Sequence, residues 1–313
     1  MKINKSIVLK ITVIVALLAA VAVLLRLSSD TLRLAPYNPA TATPKKYEML
    51  KRWLPTGADF IAISDTYRLA SIPELKNFLE EGLFKGSDTA IKAINSLLNS
   101  QTKIGMIAMC ATLGDTGVPV SFFVIVQGDF REGKFVEYIK GELAKENLLL
   151  SSQESGKIAI YSQEGAEALF AFAIPDRNHL IVGTKAEMTA FFEKPSVAEK
   201  LFPFFTTDSP FFGFLKASDR IRKVLPPQFS SLELAKFWAD DNKWLHALID
   251  CSDIEQAQNF RMFLSGMKAL YMLQSESNKM SVDALAGIAI GGEGATVQID
   301  APLEQLPNIF PNK

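Results

Sequence analysis

Residues Ile7 to Leu25 read IVLKITVIVALLAAVAVLL, an apolar run broken by a single charge, Lys10. As a helix rising about 1.5 Å per residue, this run is roughly 28 Å long, close to the hydrocarbon thickness of a bilayer. Lys2 and Lys5 precede it, and Arg26 and Arg33 follow more thinly. The positive-inside bias therefore predicts a cytoplasmic N-terminus and an exported C-terminal bulk, anchored in the inner membrane by one span. A cleaved signal peptide is the competing reading, with Ala20-Val21-Ala22 as its small-residue site. The run continues past that site through Val23, Leu24 and Leu25, so an uncleaved signal-anchor is the favoured reading. The lipid bilayer, met through residues 7–25, is thus the first expected partner.

Residues 1–26 form the cytoplasmic N-terminus and anchor, and residues 27–46 a stalk. Pro36, Pro39 and Pro44 stand there among Ser, Thr and Ala without apolar periodicity. The folded part begins near Tyr47 to Trp53.

Beyond the stalk, the pattern predicts an α+β fold with mainly antiparallel sheet. Strands are expected at Ala58–Ser64, Ile104–Thr112, Pro119–Gln127, Lys157–Ser162, Ala168–Ile174 and His179–Gly183. Helices are expected at Ile72–Leu83, Ser87–Leu98, Phe130–Lys145 and from Thr184 to Lys194. Thr184 and Glu187 have the spacing of a capping box. The order then partly repeats. Ser209–Leu215 answers the Ala58 strand and Trp244–Asp250 answers Ser121–Val126. Asp129 and Asp253 each stand where a helix N-cap is needed. The later helix carries Phe260, Leu264, Met267 and Tyr271 at helix spacing, before a hairpin of Ala284–Ile290 and Ala295–Ala301. Two tandem related α+β units, 47–205 and 206–313, are the expected organisation. An anchor ahead of paired strand–helix units resembles the plan of many bacterial envelope proteins, in architecture alone.

The composition narrows function more by exclusion. A formal net charge of −1 gives no cationic excess to displace counterions, so nucleic acid is not an expected partner. Cys110 and Cys251 could pair in an exporting compartment, but both end apolar runs, where a free thiol behaves as a small hydrophobe. His179 and His246 lie within strands, without ligand spacing to Cys, Asp or Glu, and read as structural. The glycines at 114, 117, 291, 292 and 294 are flanked by strands and read as hairpin turns, since no P-loop ending follows. The adjacent acids Asp240-Asp241 and Glu80-Glu81 read as solvated surface. No catalytic residue, cofactor-binding residue or metal ligand is assigned from the sequence.

The one unusual concentration is phenylalanine, with Phe191, Phe192, Phe202, Phe204, Phe205, Phe211, Phe212 and Phe214 punctuated by Pro203 and Pro210. These rings suit a core where the two units meet. Alternatively, Phe202, Phe204, Phe205, Phe211 and Phe212 form a patch for an apolar ligand or partner. The expected function is a non-enzymatic binding or scaffolding protein of the cell envelope, held extracytoplasmically. The alternatives are a carrier or sensor of a lipid or hydrophobic peptide at the Phe-rich junction, and an uncharacterised hydrolase.

Overall fold

The computed structural model describes residues 50, 52–55, 57–65, 68, 105–114, 119–145, 148–164, 171–193, 209–225, 229–274, 283 and 285–305. The apolar run at 7–25, the stalk, the helices expected at Ile72–Leu83 and Ser87–Leu98, and Phe202, Phe204 and Phe205 all lie outside these residues. Among the described residues, no helix is long and apolar enough to cross a membrane.

The strands are β1 (Phe60–Asp65), β2 (Met106–Leu113), β3 (Pro119–Gln127), β4 (Leu150–Ser155), β5 (Ile158–Gln163), β6 (Ala171–Asp176) and β7 (His179–Gly183). They continue with β8 (Phe211–Lys216), β9 (Leu232–Ala239), β10 (Trp244–Cys251), β11 (Ala289–Gly291) and β12 (Thr296–Pro302). The helices are α1 (Glu132–Lys145), α2 (Lys185–Glu193), α3 (Asp219–Val224) and α4 (Ile254–Gln274).

The fold is α+β, and its strands form a 12-stranded sheet in the order β11-β12-β10-β9-β8-β1-β2-β3-β7-β6-β5-β4. Every pairing in it is antiparallel. The sheet takes strands from both expected units. β1 pairs directly with β8, with Ala62 opposite Gly213.

Because strand side chains alternate, the central strands bury both faces. On one face, Phe60, Ala62, Ile107, Met109, Val124 and Val126 meet Phe135, Val136 and Ile139 of α1. Those helix positions follow one another at offsets of one, three and four, which places them along one stripe. Farther along, Ala257 and Phe260 of α4 cover Ile249 and Val297. Ala235 touches both clusters, so α1 and α4 share this face. On the opposite face, Ile61, Ile63, Met106, Ala108, Cys110, Phe123 and Ile125 are covered by Met188, Phe191 and Phe192 of α2 and by Leu50 and Leu54.

Several expectations are corrected. β4 (LSSQES) and β9 (LELAKFWA) are strands that the sequence pattern did not reveal. The run Ala284–Ile290 contributes only Ala289–Gly291 to the sheet, and Leu285 and Ala286 are helical. Asp241 is exposed, as expected of a surface acid, and the buried Arg68 donates to its Oδ2 at 2.7 Å.

Candidate functional site

The Phe-rich segment divides. Phe211 and Phe212 lie on β8 and point to opposite faces, each buried, and Phe214 is 1 % exposed. Phe191 and Phe192 pack edge-to-face at 5.4 Å beneath α2. These five rings are core, and none forms an exposed patch.

The two cysteines are free and buried. Burial pushes both thiols above their ordinary value, so neither is a ready thiolate.

Both histidines are tied to carboxylates. His179, on β7 and wholly buried, has Nδ1 2.7 Å from Asp176 Oδ1. A carboxylate only accepts, so Nδ1 carries the proton. Nε2 is then a bare acceptor, buried beside the Trp53 ring and without a hydrogen-bond partner among the described residues. Burial lowers the affinity of His179 for a second proton, as does the Arg52 guanidinium, while Asp176 opposes them, and the net shift is downward from 6.5. Burial pushes Asp176 the other way, but the bonds from His179 and the Asn178 N–H, with the Arg52 charge, outweigh it and hold its carboxyl below the usual range.

This pair carries a pH prediction. The folded-state value of His179 lies below its unfolded value near 6.5, so acid protonates the unfolded chain first. The stabilisation is complete above pH 6.5 and declines as the pH falls below it, by at most about 1.4 kcal/mol per pH unit. Urea unfolding between pH 7.5 and 5 reads this loss, and His179→Asn should flatten the profile over that window.

His246 on β10 sits between two acids. Its Nδ1 is 2.6 Å from Asp300 Oδ1 on β12 and its Nε2 is 3.3 Å from Asp240 Oδ2, beyond the end of β9. Trp238 stacks on its ring at 5.1 Å, and Gln298 donates to the second oxygen of Asp300 at 2.8 Å. Asp240 also accepts from the Trp244 N–H at 2.9 Å. The group therefore ties β9, β10 and β12 together, and both ring nitrogens are engaged. Asp253 performs its expected cap by accepting from the Gln256 N–H at 2.8 Å. Asp129 accepts from Arg177 Nε at 2.9 Å. Among the described residues, no group of three or more His, Cys, Asp or Glu is placed to hold a metal ion.

What remains is a cavity of about 360 Å³ between α2, the segment around Pro55–Ala58 and the β2–β3 hairpin. Its floor is two cross-strand pairs on the same sheet face, Cys110 opposite Phe123 and Thr112 opposite Ser121. Its wall is one face of α2, formed by Glu187, Ala190 and Phe191 at offsets of three and four. Gly183 brings this helix close, since a Cβ there would stand 2.7 Å from the Phe122 carbonyl and 3.4 Å from Met188 Cγ. The space exists because Cys110, Thr112, Ser121 and Ala190 are small where larger side chains would fill it.

Glu187 does not reach back to cap α2. Among the described residues its carboxylate has no hydrogen bond or ion pair, and it lines the cavity. Sequence reasoning assigned Glu187 to a cap and passed over Thr112 and Ser121. The available signal was three small polar or thiol side chains on one face of an otherwise bulky hairpin.

No family model matches this chain, and no curated protein matches it by sequence. Among solved structures it is similar to TP0453 in two crystal forms. Crystal form I has 13 % identity and a TM-score of 0.46, over 83 % of this chain and 95 % of that one. Crystal form IV has 11 % identity and the same TM-score of 0.46, over 84 % and 96 % of the two chains.

Proposed function

We propose that this chain is a non-enzymatic binding or scaffolding protein of the bacterial cell envelope, anchored by residues 7–25 with its folded part outside the cytoplasm. The observation that carries the reading is the apolar run with Lys2 and Lys5 ahead of it and a Pro-rich stalk behind. The fate of the titratable groups agrees with it. His179 Nδ1 and His246 bond carboxylates of neighbouring strands or turns, Asp253 caps a helix end, and Asp129 holds Arg177 of a hairpin.

The folded part is read as a duplication. The neighbour order β1-β2-β3-β7-β6 is matched by β8-β9-β10-β12-β11, with α1 following β3 and α4 following β10. Two units joined edge to edge through β1 and β8 make a long platform, which suits a scaffold. The second reading, a carrier of an apolar ligand, is favoured by the cavity under α2.

Protease treatment of intact cells, spheroplasts and lysed spheroplasts tests the placement. Digestion of the folded part in spheroplasts but not in intact cells is the expected result. Protection until lysis would overturn it. Crosslinking in membranes followed by capture of the full chain tests the binding role, with a discrete covalent adduct expected.

A further inference from the structure

Resting on the reading of this chain as a binding protein, we infer that the cavity under α2 is a site for a small apolar amine, its ammonium held by Glu187 and its hydrocarbon body packed against Phe123 and Phe191. The cavity lining carries two kinds of chemistry. Phe123 and Phe191 meet edge-to-face with centroids 5.4 Å apart, and Cys110, a protonated buried thiol, lies opposite Phe123. These groups offer contact surface and no strong polar partner.

The rest of the lining offers acceptors. Thr112, which lines the cavity, donates its hydroxyl to the Gly57 carbonyl at 3.4 Å and so keeps its oxygen as an acceptor. Ser121, opposite Thr112, is buried and makes no side-chain hydrogen bond among the described residues. Glu187 is half-buried and unpaired. Glu187 brings a negative charge to the cavity lining, so an occupant that carries a positive charge is selected. An ammonium has three donors and no acceptor, which matches this set of acceptors. A ligand carboxylate would meet Glu187 as a like charge, and a neutral alcohol could donate one hydrogen bond to it but bring no countercharge.

The cavity size fits the choice. At about 360 Å³ it lies near the lower end of the range for small-molecule sites, roughly 300–1,000 Å³. A compact skeleton therefore suits it better than a long acyl chain.

Calorimetric titration of the full chain in nanodiscs, with empty nanodiscs as the partition control, tests the inference. The probes share one skeleton: 1-adamantylmethylamine, 1-adamantylmethanol and 1-adamantanecarboxylate. Wild type should bind the amine at least about tenfold more tightly than the alcohol and should not bind the carboxylate. Glu187→Gln should bring the amine down to the affinity of the alcohol. Ala190→Trp, on the exposed rim of α2, should remove binding of both while thermal unfolding stays within a few degrees of wild type. Equal affinity for amine and alcohol, amine binding unchanged in Glu187→Gln or Ala190→Trp, or no binding by wild type would each overturn the site. The binding-protein reading is judged separately by the membrane crosslink. An adduct that forms equally with Ala190→Trp keeps that reading while removing this site, whereas no adduct with any form removes the reading itself.

Discussion

Gly213→Val should destabilise the protein by about 3 kcal/mol or more, enough to lower the unfolding midpoint by several degrees and reduce the yield of folded chain. The reason is steric. Gly213 lies at the centre of β8, opposite Ala62 on β1 and Phe237 on β9. A Cβ built there would stand 2.5 Å from the Ile61 carbonyl oxygen and 2.5 Å from the Phe237 ring. The Phe237 ring lies across this glycine and stacks near Phe60, at 6.0 Å and 20° between planes, and near Phe211, at 5.8 Å. A ring can turn aside, but the Ile61 carbonyl belongs to the β1–β8 ladder and cannot move without parting the strands. Gly213→Ala should therefore remain costly in a Phe237→Leu background, by about 1–3 kcal/mol. Urea unfolding followed by far-ultraviolet circular dichroism measures both. A neutral Gly213→Val would mean that the seam between the two halves is loose.

That seam shows where the sequence was legible and where it was not. Strands with continuous apolar runs, such as MIAMCATL in β2 and FFGFLK in β8, are buried on both faces and announce themselves by density alone. β3 and β7 were recognisable for the same reason, and the Asp176 turn by its chemistry, since Asp176 accepts from the Asn178 N–H at 2.8 Å. β4 was missed because Leu150 to Ser155 is nearly all polar and its middle residues are exposed. An edge strand of that kind is held by its ladder to β5, and no side-chain pattern records a ladder. β9 hides differently, with Lys236 inside LELAKFWA breaking the alternation. The structure explains that lysine by its bridge to Asp250 at 2.9 Å.

The joining of β1 to β8 is a contact across about 150 residues of chain, and nothing local encodes it. The candidate site is hidden for a related reason. Cys110, Thr112 and Ser121 read as ordinary small strand residues until α2 is placed above them, and Glu187 reads as a cap until its carboxylate is seen to be unused. A cavity is a property of what fails to fill a space, and a single strand's sequence does not show its neighbour's volume.

Phe214→Ala should cost about 3–5 kcal/mol, comparable with the loss at Gly213 but by the opposite route. Phe214 is 1 % exposed and packs in the cluster that contains Leu50, Leu54, Ile61 and Ile63. Removing its ring deletes apolar contact and leaves a void that the sheet cannot collapse into, because Ile61 opposite it is fixed by the β1–β8 register. Phe212, next but one on the same face, should behave similarly when replaced by Ala. The pair separates the two roles considered for the Phe-rich segment. Core rings change the stability of the empty protein, and urea unfolding of Phe212→Ala and Phe214→Ala without any ligand detects it. Rings of a docking patch would leave that stability within about 0.5 kcal/mol of wild type and weaken partner capture alone. Burial on both faces of β8 makes the first outcome the expected one.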